Sequence, residues 1–402
     1  MKITYLLNST RMQNGATKSF LTLLESATDA GVTPTVVVPD GEGICDELRS
    51  KGIDVLILNY RPAVYPWLDS IADYLLFVPR LLGRLYLNRK AAIQLAKYLQ
   101  KNKTDIIHTN VSVIDIGFKA AKKLNVPHIY HIREYADKDF NLSYYPNKRH
   151  FTKQLLSADS YSICITNDIQ RHNNQQQNPR SVVVYNGICP TMPHGENVCS
   201  RGDYFLFAGR LEEAKGLDIL MRGYVAYASG CDKEPLPLYL AGDISGKTVK
   251  QDIENVVAAN GMKEKVCFLG VRTDIEEIMK HARAIIIPSR FEAFGRCMPE
   301  AMLCGCLAIA RNTGGTLEQL ENGKRLMGHD IALRFDNAAQ LADMLARAEK
   351  MTDEEYCGIT GKAREVVTKL YSKDTYAASI LSFYKKILSD KASFDNKRSK
   401  TV

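Results

Sequence analysis

Three short segments in the second half of the chain combine glycines, cations and carboxylates in spacings that suit a phosphorylated, hydroxyl-bearing ligand. Gly209-Arg210-Leu211-Glu212-Glu213-Ala214-Lys215-Gly216 lies between an apolar run and a helical pattern. Glycine lets a backbone approach a ligand closely, and two cations five residues apart beside a helix start suit a diphosphate. The alternative is a turn carrying two solvated cations. Further on, Glu292 and Glu300 bracket Phe294-Gly295. A carboxylate accepts paired hydrogen bonds from vicinal hydroxyls, the pattern that sugars and ribose present. The alternative is helix-start electrostatics for Glu300 and a surface position for Glu292. Thr313-Gly314-Gly315-Thr316, followed by Glu318, offers backbone N–H groups to an anion.

The first half holds one comparable group, in Val126-Pro127-His128-Ile129-Tyr130-His131-Ile132-Arg133-Glu134. His131 and Arg133 are two apart and share one strand face. An imidazole can move a proton near neutral pH. A guanidinium cannot act as a base there, but it stabilises developing negative charge. A hydrogen-bonded core histidine is the alternative for His131. His108, at the end of another apolar run, is a weaker candidate.

Such residues need strands that end at them. Apolar, β-branched runs at Lys2–Leu7, Thr33–Val38, Val55–Leu58, Asp105–His108, His128–Ile132, Ser160–Ile165 and Ser181–Val184 read as strands. So do Tyr204–Ala208, Pro237–Ala241, Val266–Leu269, Ala284–Ile287 and Leu307–Ala310. Helical patterns fall between them, which implies an α/β fold of parallel sheets with crossover helices. The polar stretch Cys189–Asp203, with Pro190, Pro193, Gly195, Glu196 and Gly202, reads as a domain boundary. Tyr376–Leu388 is helical in pattern, and the polar residues after it read as a frayed tail.

Taken together in order and spacing, these segments resemble the donor-binding half of the retaining GT-B glycosyltransferases of family 4, the glycosyl transferases group 1. Tyr185-Asn186-Gly187-Ile188 matches that family's asparagine–glycine segment, and the likeness covers roughly residues 2–370. The resemblance implies two Rossmann-like, doubly wound domains facing across a cleft: residues 1–190 for the acceptor and 200–372 for the nucleotide sugar. A helix over 373–390 would pack back on the first domain, and 391–402 would be a flexible tail. It further implies that Arg210 and Lys215 neutralise the donor diphosphate beside Gly209. Glu292 would bind the sugar hydroxyls, with the backbone of Phe294 and Gly295 assisting. Glu300 would hold the ribose, and Gly314 and Gly315 would complete the donor site. Gly15 would lie where the first loop meets the diphosphate, although Asn14 replaces the usual first glycine. Strict alignment places Arg133, not His131, at the family's acceptor-side histidine, so the catalytic candidates are His131, Arg133 and Glu292. The expected reaction is metal-independent transfer, with retention, from a UDP- or GDP-sugar to a glycan or lipid-linked acceptor, without a separate cofactor. A GT-B scaffold or binding subunit without activity, and a sugar-nucleotide epimerase, are the competing readings.

Other motifs carry less. Ala241-Gly242-Asp243-Ile244-Ser245-Gly246-Lys247-Thr248 resembles a phosphate loop but is one residue short between its glycines. Asp137-Lys138-Asp139 reads as a solvated cluster rather than a metal site, and no His/Cys set has zinc spacing. No G-x-G-x-x-G follows the first strand, which disfavours a nicotinamide dehydrogenase.

The 402 residues carry 53 Lys+Arg and 45 Asp+Glu, a net +8, with 45% apolar residues, as in an ordinary globular chain. The surplus is concentrated in residues 80–103, where seven cations meet no acid, beside the apolar run from Tyr65. Residues 65–103 suit an anionic membrane surface; the alternative is a helix pair whose apolar face is core. No nucleic-acid module accompanies the charge. The first apolar run is too short for a signal peptide and the ten cysteines are scattered, so the expected location is cytoplasmic, peripheral on the inner face of the membrane.

Overall fold

A computed structural model describes residues 1–12, 15–66, 68, 70–189, 201–244 and 247–399. The chain divides into two compact units, residues 1–187 with the C-terminal segment from Lys373, and residues 188–372. The first unit holds the strands β1 (Lys2–Leu6), β2 (Thr33–Val38), β3 (Asp54–Ile57), β4 (Ile106–Thr109), β5 (His128–Ile132), β6 (Ser160–Cys164) and β7 (Ser181–Val183). They form one parallel sheet in the order β3-β2-β1-β4-β5-β6-β7. The second unit holds β8 (Phe205–Ala208), β9 (Leu238–Ala241), β10 (Val266–Gly270), β11 (Ala284–Ile287), β12 (Leu307–Arg311) and β13 (Leu333–Phe335), in the order β10-β9-β8-β11-β12-β13. Every pairing between these strands is parallel, for example Ile3↔Ile106 and Ala284↔Leu307.

Both sheets run outward in two directions from their first strand, so each has a point where the strand order reverses. In such sheets ligands bind beyond the carboxyl ends of the strands at that point. The reversal lies between β1 and β4 in the first unit and between β8 and β11 in the second. Strands buried on both faces explain the unbroken apolar runs: Ala284, Ile285, Ile286 and Ile287 are all buried.

In the first unit the last helix, Lys373–Ser399, supplies part of the core. Tyr376, Ile380, Phe383, Tyr384 and Ile387 join Ile3, Tyr5, Phe20, Leu23 and Ile129 in one cluster. The helix extends through Ser399, well past the start of the tail expected from residue 391. The three-residue strand β13 was not expected, because Leu333-Arg334-Phe335 is too short to show a period. Eight cysteines are free among the described residues, and Cys357 is disulfide-bonded.

Residues 71–102 form two consecutive helices, Ile71–Leu75 and Phe77–Asn102. The second buries Asn88, Ala91, Ala92, Leu95, Ala96 and Leu99, whereas its first half leaves large apolar side chains exposed. A helix pair with its apolar face in the core therefore describes only the later turns. Among the described residues no helix is long and apolar enough to cross a membrane.

Candidate functional site

In the second unit, the loops that follow β8 and β11 carry the cations and carboxylates singled out above. After β8 the chain turns through Gly209 and Arg210, makes a short helical turn over Glu213–Lys215, and enters the helix Leu217–Ser229 at Gly216. Gly216 has φ 71°, and a Cβ there would lie 2.1 Å from the carbonyl oxygen of Pro288, so only glycine fits this approach to the loop after β11. The ammonium of Lys215 lies 2.8 Å from Glu292 Oε2. This ion pair therefore joins the two loops on either side of the reversal point. Burial works to lower the Lys215 pKa, but the Glu292 carboxylate outweighs it and holds the ammonium above its usual range. Arg210 pairs with Glu212 at 2.9 Å, and its charge is also felt at Lys215.

Phe294 is buried against Tyr371, with the rings edge to face and their centroids 5.5 Å apart. The Gln319 amide donates to the carbonyl oxygens of Phe294 and Gly295 and so fixes the backbone between the two carboxylates. Glu300 lies in the helix Cys297–Leu303 and accepts from Arg296 at 3.0 Å. Gly314 and Gly315 open the helix Gly314–Met327. Here one expectation is corrected. The N–H of Gly315 donates to the Glu292 carbonyl at 2.6 Å, so it is not an anion donor. A Cβ at Gly315 would lie 2.5 Å from the Ala293 carbonyl oxygen, so this glycine permits close packing of the Glu292 loop on the helix start. Sequence reasoning considered only the backbone of Thr316; its hydroxyl is buried, has no partner among the described residues and lies beside Gly295.

In the first unit Arg133 follows β5 and is almost wholly buried. Its Nε donates to Asn110 Oδ1 at 3.0 Å and its Nη1 to Asn186 Oδ1 at 2.5 Å. Its Nη2 donates to the Tyr376 hydroxyl at 2.9 Å and approaches His131 Nδ1 at 3.2 Å. These partners are two amide oxygens, a phenol and an imidazole, all neutral. Asn110, just past β4, also donates to the carbonyl of Ala16 at 3.1 Å, which fixes Arg133 beside the start of the helix Gly15–Asp29. Gly15 is the exposed first residue of that helix, while Gln13 and Asn14 lie outside the described residues.

His131 is fully buried, and burial together with the Arg133 charge holds its pKa well below the usual range. Its Nδ1 accepts from Arg133, so the neutral ring carries its proton on Nε2. His108 Nε2 lies 3.1 Å from the same Nδ1, and His108 Nδ1 lies 2.6 Å from the Tyr384 hydroxyl. The two histidines are thus links in a buried chain that ends at Arg133. No local pattern in the sequence links Tyr376 to Arg133 or Tyr384 to His108, because each pair is more than 240 residues apart. Glu134 is buried and its pKa is raised to about 7, despite hydrogen bonds from the Ser112 hydroxyl and N–H.

The competing motifs serve structure. Asp137 binds Lys148 at 2.9 Å and His172 at 2.8 Å, and Asp139 accepts from the Tyr135 N–H. Among the described residues no three His, Cys, Asp or Glu side chains are grouped to hold a metal. In the phosphate-loop look-alike, the Gly242 N–H is bonded to Gly270, and Ser245 and Gly246 lie outside the described residues.

Comparison with known proteins bears on the family and the fold. Residues 195–365 match the family described as Glycosyl transferases group 1, and residues 13–191 match Glycosyltransferase Family 4. An uncharacterized glycosyltransferase of Methanocaldococcus jannaschii is 25% identical over 70% of this chain and 76% of its own length. One from Bacillus subtilis is 28% identical over 61% of this chain and 66% of its own length. The Anabaena protein HepE, solved in complex with UDP, superposes with a TM-score of 0.73 at 20% identity, over 96% of this chain and 100% of that one. With two parallel sheets of the GT-B kind, and both units matched in order, the chain belongs to the family 4 glycosyltransferases, the glycosyl transferases group 1.

Proposed function

We propose that this protein transfers a hexosyl-type sugar from a UDP- or GDP-sugar to a glycan or lipid-linked acceptor, with retention at the anomeric carbon. The observation that carries this reading is the Lys215–Glu292 pair, which sets a charged ammonium and a hydroxyl-binding carboxylate side by side where the strand order reverses. Lys215 and Arg210 compensate the diphosphate, so that the bond from the anomeric carbon to the phosphate oxygen breaks without a metal. A new bond forms to the acceptor oxygen, whose proton passes to the departing phosphate. Glu292 holds the sugar hydroxyls and Glu300 the ribose. Arg133 supplies positive charge in the first unit, with His131 orienting it, and Gly15 offers backbone at the start of its helix. The structural relative solved with UDP and with UDP-glucose supports a uridine donor. Work in glycoconjugate or cell-surface polysaccharide synthesis, from the cytoplasmic face of a membrane, fits this chemistry.

A thermal-shift panel of nucleotide sugars tests the reading, because a ligand that prefers the folded state raises its stability. One or two nucleotide sugars should stabilise the protein and be consumed when an acceptor extract is added, with the anomeric configuration kept in the product. Stabilisation without turnover would favour the binding-subunit reading. Conversion of the nucleotide sugar without an acceptor would favour the epimerase.

A further inference from the structure

We infer that the outer face of the helices Ile71–Leu75 and Phe77–Asn102 docks on an anionic phospholipid surface. Ile71, Tyr74, Leu75, Val78, Leu82 and Tyr86 are 82, 65, 77, 59, 60 and 66% exposed. Val78, Leu82 and Tyr86 are four apart and form one stripe along the helix. The opposite face, with Ala91, Leu95 and Leu99, already packs into the first unit, so the stripe is not core. A run of exposed large apolar side chains marks an interaction site.

The charges around the stripe choose the partner. Arg89, Lys90, Lys97 and Lys101 are exposed on the same helix, and residues 80–103 hold no Asp or Glu. The adjoining helix Ile116–Leu124 adds exposed Lys122 and Lys123. Nearby acids are already engaged, Asp73 by Arg80 and Asp115 by Lys119. A second copy of this chain would set cations against cations, which opposes association. An anionic bilayer meets both features, since apolar side chains enter the acyl boundary while the cations meet lipid phosphates. This surface is independent of the sugar-transfer reading.

Flotation of the full chain with vesicles tests the inference and involves no turnover. Vesicles of phosphatidylcholine with phosphatidylglycerol should carry the protein up, and added salt should weaken this. Vesicles of phosphatidylcholine alone should not. Each cation near the surface is worth roughly fivefold in affinity, so Arg89→Glu with Lys90→Glu should lower binding by at least about 25-fold. Leu82→Ser with Tyr86→Ser should also weaken it, with unchanged circular dichroism because both sites are exposed. Absence of flotation with the anionic vesicles, equal flotation with neutral ones, or wild-type binding by both variants would overturn the inference. So would a concentration-dependent dimer that the Leu82→Ser, Tyr86→Ser variant abolishes.

Discussion

Replacing Lys215 by methionine removes one charge while keeping most of the side chain's packing. The ammonium sits 2.8 Å from Glu292, and the two side chains are 22 and 16% exposed. Breaking a fully buried pair costs about 3–5 kcal/mol, whereas exposed pairs contribute about 0–1 kcal/mol. The partial exposure here places the expected stability loss between, at about 1–2 kcal/mol. For a unit of this size that lowers the melting temperature by roughly 3–6 °C, which leaves the fold intact at room temperature. The effect on transfer is larger. A preorganised donor aimed at charge that develops in the transition state is worth about 2.7–4 kcal/mol, or 10²–10³ in kcat. Steady-state release of the nucleoside diphosphate, with the nucleotide sugar that gives the largest thermal shift, should therefore fall by two to three orders of magnitude. The double variant with Glu292→Gln should recover much of the lost stability, because no unpaired carboxylate remains, but none of the activity. Turnover of Lys215→Met within threefold of wild type, in protein that melts cooperatively, would refute the assignment of this ammonium to the leaving diphosphate.

Gly315→Ala should destabilise the second unit by about 1–3 kcal/mol, because its Cβ would meet the Ala293 carbonyl at 2.5 Å; denaturant melts report this directly. Tyr376→Phe removes one hydrogen bond to Arg133 and should cost about 0.5–1.5 kcal/mol, with kcat falling more than the affinity for donor measured by calorimetry. Glu134 gives a pH signature. Its carboxyl is raised to about 7, so the folded state binds its proton more tightly than the unfolded chain does. The resulting stability is fully present below about pH 4.3, the usual glutamate value, and is lost as pH rises through 7. Buried His128, lowered to about 3, acts in the opposite direction, so the comparison must be with Glu134→Gln rather than with the raw curve. Between pH 4.5 and 8, urea melts of wild type should lose about 3 kcal/mol relative to that variant; parallel curves would show that Glu134 titrates normally.

Most strands were legible because buried parallel strands write themselves as apolar runs and every loop that matters follows one, whereas the strand order, and with it the reversal points, came only with the structure. The second-unit residues lie within a few positions of those runs, so spacing alone brought Arg210, Lys215, Glu292 and Glu300 into view. What stayed hidden depends on long-range contact. The Gly315 N–H is claimed by Glu292, a bond between two loops that no local pattern encodes. The surroundings of Arg133 come from Asn110, Asn186 and Tyr376, on three separate elements. Burial of His131 follows from the same packing, and a period-two pattern could tell only that it shares a face with Arg133. The exposed stripe at Val78, Leu82 and Tyr86 was open to either reading until the opposite face of its helix was seen to be packed.

The membership of the last helix in the first unit has a consequence for synthesis. The sheet from β1 to β7 is translated first, but the side chains of Tyr376, Ile380, Tyr384 and Ile387 that complete its core arrive only after residues 188–372. At about 5–20 residues per second, those 185 intervening residues take on the order of ten to forty seconds. During that interval the middle unit can close while the first stands with an open apolar seam and with Arg133 lacking its phenol partner. The unit begun earliest is sealed last, so a nascent chain stalled before residue 373 is the species most in need of a chaperone.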